Sequence, residues 1–427
     1  MSKVICDTNI VEQPKTSNVE LLDLLVIGGG AAGFFTAINA AERYPQWRIT
    51  ILEKGKEPLQ KVRISGGGRC NLTNAEYVPQ EFVRAYPRGA KELLSPFHRF
   101  MSGDVMEWFE AHGVPVKIEA DGRVFPDSNN SESIINCFMK AIQKSGIALL
   151  TAQNVRDIQF ANDLWQVQTA TDTFTTERLV VTTGSNPKMW DILARLGHTI
   201  VPPVPSLFTF HTDDTFIKDL AGVSAEVALS LLSTEGTPLK VRQRGPLLIT
   251  HWGFSGPAVL RASAWGARLL ADRDYQCVLQ VNWTAASGEE LTFEQVLADL
   301  QEQKAQHAKR QVYTHPLYGL PKRLWERITE REGIAGQLWA EVGKPFLRDL
   351  AMALTASHFR ITGKATFKEE FVTAGGVRLS EVNFKTFESK LHPRLYLAGE
   401  VLDIDAVTGG FNFQNAWTGG YVIADSF

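Results

Sequence analysis

A strand–glycine–helix–strand–acid succession over residues 22–53 constrains this chain more than any other stretch. The apolar run Leu22-Asp23-Leu24-Leu25-Val26-Ile27 feeds into Gly28-Gly29-Gly30-Ala31-Ala32-Gly33, and a helix-like segment follows from Phe34 to Arg43. A second apolar run, Ile49-Thr50-Ile51-Leu52, ends on Glu53. Each glycine has a mechanical reason. Gly28 permits a tight strand-to-helix turn, Gly30 lets backbone approach a pyrophosphate, and Gly33 lets the helix pack close to the sheet. A helix opening at Ala31 and Ala32 offers unpaired N–H groups and a partial positive charge to phosphates. Glu53 falls about 20 residues past the last glycine, where a carboxylate accepts hydrogen bonds from an adenosine ribose. A bare glycine motif is weak evidence; the strand, helix and acid together predict a dinucleotide site.

The 427 residues predict two or three domains, and 44% hydrophobic with 21% charged residues is an ordinary globular balance. A formal net charge of −3 supplies no long-range attraction to nucleic acid or anionic membrane. Cys6, Cys70, Cys137 and Cys277 are scattered without CxxC spacing. That predicts a reducing compartment, no structural metal and no dithiol relay. No run reaches the length of a membrane span and no signal-peptide core is visible, so the expected location is the cytoplasm. Residues 1–19 read as a polar, poorly ordered lead-in.

Strand and helix signals alternate from about residue 20 to 205, as in a doubly wound α/β sheet. Ile134, Ile135, Phe138, Met139 and Ile142 mark a helix over residues 131–145. Short β runs at Val155–Ile158, Trp165–Thr169 and Phe174–Thr176 predict a small meander before Leu179-Val180-Val181-Thr182-Thr183-Gly184. Residues 206–288 change to short β runs, including Leu207–Phe210, Ala225–Leu232, Leu239–Arg242 and Cys277–Val281, which read as a β-barrel or sandwich insert. Residues 289–355 read as a helical insert, with Phe293 opening one helix and Pro321 and Pro345 placed as first-turn prolines of two more. Residues 356–372 return to strand and residues 373–427 resume the α/β pattern. The simplest architecture is one nucleotide-binding domain interrupted by a β insert that is itself interrupted by a helical one.

Late residues decide which dinucleotide. Arg394-Leu395-Tyr396-Leu397-Ala398-Gly399-Glu400 reads as a buried strand running into glycine and an acid. Such a carboxylate can hold a ribitol hydroxyl, which FAD has and NAD lacks. The stretch Thr408-Gly409-Gly410-Phe411-Asn412-Phe413 opens another helix, whose N-terminus suits negative charge on a reduced flavin. FAD is therefore the expected cofactor. A second glycine loop, Ser65-Gly66-Gly67-Gly68-Arg69-Cys70-Asn71, brings backbone close to some group, with Arg69 as its charge partner; a plain flexible turn is the alternative. The candidate set further takes in Lys54, Lys61, Val155, Thr183 and Gly184.

The string Ile64-Ser65-Gly66-Gly67-Gly68-Arg69-Cys70-Asn71-Leu72-Thr73-Asn74 resembles a bacterial family of NAD(P)/FAD-dependent oxidoreductases that includes a bile-acid enone reductase and an aminoacetone oxidase. Asp121-Gly122-Arg123-Val124-Phe125-Pro126, Thr250-His251-Trp252-Gly253-Phe254-Ser255-Gly256-Pro257, Pro321-Lys322-Arg323-Leu324, Thr373-Ala374-Gly375-Gly376-Val377 and residues 399–417 are similar as well. The resemblance runs from Leu22 to the end. It implies a glutathione-reductase-type FAD-binding Rossmann domain with a β-barrel and a small helical insert. It also implies that Gly28, Gly30, Gly33, Glu53, residues 65–71, Gly399, Glu400, Gly410, Phe411, Asn412 and Phe413 line the cofactor. After Thr183-Gly184-Ser185 many relatives carry a longer glycine- and Tyr-Pro-rich loop; here the chain passes quickly through Asn186-Pro187-Lys188-Met189-Trp190, so their substrate preference does not carry over.

Candidates for proton chemistry are few. His251 suits either donation or acceptance near neutral pH, against the plainer reading of a hydrogen-bonded histidine in the insert. Cys70 beside Arg69 is a candidate thiolate, against a small packing residue. Arg123 can clamp a carboxylate or phosphate, and equally can sit on a surface turn. No second strand–GxGxxG–helix unit follows Gly184, so NADH or NADPH would bind transiently over the flavin. The expected activity is hydride transfer between flavin and a small organic substrate, most simply NAD(P)H-dependent reduction. An oxygen-dependent amine oxidase is the alternative; an RNA-linked flavoprotein and a non-catalytic flavin module rank lower. Arg242, Arg244, Lys309, Arg310, Lys322 and Arg323 are interleaved with acids and neutral residues, so no nucleic-acid partner is expected.

Overall fold

A computed structural model of the chain describes residues 21–365 and 372–427. The lead-in of residues 1–19 and part of the segment read as returning strand lie outside the described residues. Five parallel strands form the central sheet: β1 (Leu21–Ile27), β2 (Ile49–Leu52), β3 (Ala148–Leu150), β4 (Thr173–Val181) and β5 (Leu395–Leu397), in the order β3-β2-β1-β4-β5. Leu24, Leu25 and Val26 are fully buried, as a strand covered on both faces requires. Helix α1 (Ala31–Arg43) crosses this sheet beside α2 (Phe411–Asp425), the last helix of the chain. Gly420 makes that crossing possible: a Cβ there would lie 3.0 Å from both Ala32 O and Thr36 N. Phe35, Trp108, Phe109, Phe138 and Trp417 fill the space beneath them.

The meander is present, with shifted strands. Asp157–Ala161 pairs with Leu164–Gln168, which pairs antiparallel with the first half of β4. The two β runs read separately at Phe174–Thr176 and Leu179–Val181 are one continuous strand. Glu177 and Arg178 do not break it, because they pair with each other at 2.8 Å and Arg178 also lies over the Trp47 ring. The expected helix is Glu132–Lys144, although Met139 faces solvent.

A second sheet has seven antiparallel strands in the order Ser357–Ile361, Cys277–Asn282, Ser224–Leu232, Pro238–Ile249, Gly253–Ser255, Phe210–His211, Gly363–Lys364. Its two end strands are neighbours in the chain, and between them Thr362 N donates to His211 O at 2.9 Å. The sheet therefore curls back on itself. Leu207 takes a left-handed φ of 57°, which explains why residues 207–209 leave the strand. Helices Phe293–Gln306, Lys322–Arg331 and Lys344–Ala356 pack beside this sheet, the first opened by a Thr292/Gln295 capping box. Pro345 lies in the first turn of its helix; Pro321 stands one place before its own, as the cap. Ile200–Ser206 and Val372–Val377 run antiparallel and join the two sheets.

Candidate functional site

At the opening turn each glycine has a distinct surrounding. Gly28 has φ 112°, and a Cβ on it would lie 2.6 Å from Thr182 O. A Cβ on Gly33 would lie 2.0 Å from Gly28 O, so turn and helix touch backbone to backbone. Gly30, the N-cap of α1, has no atom within 4 Å of that position and faces open space. Glu53 closes the turn: its carboxylate accepts from Gly29 N at 2.8 Å and from Gly55 N at 2.6 Å. Each oxygen keeps a further lone pair for a ligand hydroxyl.

A cleft opens outside the carboxyl ends of β1, β2 and β4, where such sheets receive ligands. Gly28, Glu53, Lys54, Val155 and Thr183 line it together, which gathers five sequence candidates in one place. Two buried atoms of the cleft have no hydrogen-bond partner, Thr183 Oγ1 and Gln153 Oε1. Buried polar atoms are costly unless paired, so this cleft suits a polar ligand. An adenosine with its ribose diol fits that donor and acceptor set.

The end expected to hold the flavin draws on the other candidates. Glu400 follows β5, pairs with Lys61, and has one carboxylate oxygen 3.5 Å from where a Gly184 Cβ would stand. A Cβ on Gly399 would meet the Ala32 Cβ at 3.6 Å, so the end of β5 reaches the first turn of α1. In the second glycine loop Gly66, Gly67 and Gly68 take φ of 57°, 68° and 82°, and the last two face open space. Gly410 is pressed against the Thr73 backbone: a Cβ would lie 2.4 Å from Thr73 O.

Several side chains expected at the cofactor build the cradle itself. With its amide oriented to satisfy its neighbours, Asn71 accepts from Gly410 N at 3.0 Å and donates to Thr73 O at 3.0 Å. Asn412 both donates to and accepts from the Ala406 backbone, at 3.0 and 2.9 Å. The Phe411 ring packs on Phe82, and Phe413 stacks on Trp417. Arg69 is no free charge partner, since it pairs with Glu119 at 2.7 Å and lies 3.8 Å over the Phe125 ring. Arg123 is likewise engaged, by Asp121 at 2.7 Å and Glu119 at 3.1 Å.

Cys70 is not the thiolate that its neighbour suggested. Burial pushes its thiol up to about 12, and a hydrogen bond with Ser65 only partly offsets this. The charge of Arg69 is spent on Glu119 and Phe125. We expect iodoacetamide at neutral pH to leave Cys70 unlabelled in the folded protein and to label it once denatured; peptide mapping that finds native labelling at the rate of an exposed thiol would contradict this. His251 stands on an exposed turn between Pro238–Ile249 and Gly253–Ser255 of the second sheet and is not among the residues that line the cleft.

A different ionic group was missed. Arg88 forms an ion pair with Asp405, which also accepts from Ser206 Oγ at 2.7 Å, while Arg88 donates to Ala264 O at 3.0 Å. Asp405 is completely buried, and burial raises its carboxyl above the ordinary range, with Arg88 and Ser206 pulling it back. Nearby, Arg268 pairs with Asp403 at 3.0 Å. These contacts tie the segment after Glu400 to the connecting strand Ile200–Ser206 and to the segments that carry Arg88, Ala264 and Arg268. The only trace in the sequence is a pair of acids inside an otherwise apolar stretch.

The model of the HI0933-like protein Rossmann domain matches residues 22–426. The chain belongs to this HI0933-like family. The HI0933-like match brings an α/β Rossmann-type FAD-binding fold and flavin-dependent oxidoreductase chemistry, in agreement with the paired glycine turns and the two acids. Over 417 residues the chain is 28% identical to the ribosomal RNA dihydrouridine synthase of Haemophilus influenzae, covering 94% of this chain and 97% of that one. It is 27% identical to the 3-dehydro-bile acid delta(4,6)-reductase of Clostridium scindens over 419 residues, covering 93% and 97%. The solved 3-ketosteroid-delta4-(5alpha)-dehydrogenase of Rhodococcus jostii superposes with a TM-score of 0.50 at 14% identity, covering 96% of this chain and 98% of that one, and shares the fold. Among the described residues of this HI0933-like chain, no helix is long and apolar enough to cross a membrane.

Proposed function

We propose that this chain is an FAD-dependent reductase of a carbon–carbon double bond conjugated to a carbonyl group, fed by NADH or NADPH. The observation that supports the reading is that residues from both ends of the chain meet: Glu53 accepts from Gly29 N, Gly399 reaches Ala32 and Glu400 reaches Gly184, and we take this line as the path of the cofactor. Along that path the chain supplies backbone N–H groups for the pyrophosphate at α1 and the carboxylates of Glu53 and Glu400 for the ribose and ribitol hydroxyls. When bound, FAD supplies the hydride chemistry. No second dinucleotide fingerprint follows Gly184 in the sequence, so electron donor and substrate take turns at the same open face.

The names of the relatives support this reaction class. Forming dihydrouridine saturates a ring double bond conjugated to a carbonyl, and a bile-acid delta(4,6)-reductase acts on the same kind of bond in a steroid. A conjugated bond takes hydride at its far carbon and places negative charge on the carbonyl oxygen, so the protein must supply hydrogen-bond donors there. Both a small enone and a uracil in RNA meet that description; the rRNA name reopens a partner that the net charge of −3 alone does not favour.

Anaerobic titration of the purified yellow protein tests the reading. NADH or NADPH should bleach the flavin bands, and a 4-en-3-one steroid or a uridine-containing RNA should restore them. Bleaching only by an amine, with peroxide released in air, would replace the reductase by an oxidase.

A further inference from the structure

We infer that Gln153 reads the base of the bound dinucleotide and selects adenine over a base that presents a carbonyl at the same edge. The inference rests on the FAD reading above and adds to it a residue that the sequence pattern does not mark. Gln153 follows β3 and crosses beside the end of β2, where its backbone N donates to Glu53 O at 2.8 Å. That bond holds the side chain at the cleft. Its amide nitrogen Nε2 donates to Asp172 Oδ2 at 3.4 Å. A carboxylate only accepts, so this contact settles which end of the amide is which. The remaining atom, Oε1, is buried without a partner, and Gln153 is one of the residues that line the cleft.

The chemistry of that atom narrows the ligand. An amide oxygen accepts and never donates, so whatever fills the cleft must present an N–H or O–H to it. The ribose hydroxyls are already matched to Glu53, whose carboxylate is fixed at the opening turn by Gly29 N and Gly55 N. The donor left on an adenosine is the exocyclic amino group of its base. Hypoxanthine carries an oxygen there, and two acceptors facing each other in a buried site leave both unpaired. Thr183 Oγ1, the other unpartnered atom, can donate or accept and so does not discriminate.

The test measures binding of FAD, ADP and inosine diphosphate to cofactor-free protein by calorimetry. The wild type should bind FAD and should prefer ADP to inosine diphosphate by about tenfold, the worth of one net hydrogen bond. Gln153→Leu and the shape-preserving Gln153→Met should bind FAD about tenfold more weakly and treat the two diphosphates alike. Their melting temperatures without FAD should match the wild type, which separates lost recognition from lost folding. A wild type that binds FAD yet takes both diphosphates equally overturns the role of Gln153 and leaves the flavin reading standing; so do variants that keep the preference. A wild type that binds no FAD overturns both.

Discussion

Replacing Gly33 by valine should yield a colourless and markedly less stable protein, whereas Gly30→Ala should yield a colourless protein of nearly normal stability. The contrast comes from what surrounds two glycines three residues apart. A Cβ on Gly33 would lie 2.0 Å from Gly28 O, and Gly28 is itself held against Thr182 O, where its own Cβ would lie at 2.6 Å. Neither backbone can retreat without moving β1 or β4. Overpacking of this kind costs about 1–3 kcal/mol where side chains can adjust, and we expect a cost above that range where only backbone is available. Gly30 has open space at the same position and a negative φ of −99°, so alanine fits the cofactor-free fold. The added methyl occupies the room assigned to the pyrophosphate. Thermal unfolding without FAD, and FAD content by absorbance, separate the two effects. If Gly30→Ala retained its flavin at wild-type affinity, the pyrophosphate would not lie there.

Arg88→Met should destabilise the protein by about 3–5 kcal/mol, because it strands a buried carboxylate. Asp405 is fully buried, and its carboxyl is already raised by burial against the pull of Arg88 and Ser206. A raised carboxyl means that the folded chain holds this proton more tightly than the unfolded chain. That advantage is complete below the unfolded value, about 3.9, and is lost as pH rises through the folded value. Without Arg88 the folded value moves higher still. The deficit of the variant should therefore be greatest at neutral pH and shrink in mildly acidic buffer. Asp405→Asn added to Arg88→Met should recover much of the loss. Urea unfolding at both pH values measures this; a deficit that does not change with pH would mean that Asp405 is not the stranded charge.

What was legible in the sequence was local. The succession from Leu22 to Glu53 could be read because strand, turn, helix and acid lie within some thirty residues and each position has its own steric or electrostatic demand. Gly399 and Glu400 were legible for the same reason, as a strand ending on an acid. What escaped depends on partners far apart in the chain. Arg88 and Asp405 are separated by 317 positions, and nothing near either one announces the other. Cys70 misled because Arg69 adjoins it in sequence while the guanidinium turns to Glu119 and Phe125. Asn71 was placed at the cofactor, yet its amide joins two loops, a use that only the approach of Gly410 reveals. Gln153 carried no motif; only its solitary buried oxygen marks it.

The position of β5 and α2 has a consequence for synthesis. Four strands of the central sheet precede the antiparallel sheet in the chain, but the fifth strand and the helix packed on α1 come after it. The strands of the antiparallel sheet all emerge before them and need nothing from the C-terminus to pair. A nascent chain therefore keeps its nucleotide fold unsealed until residues 395–425 have been made, and cofactor loading follows their synthesis.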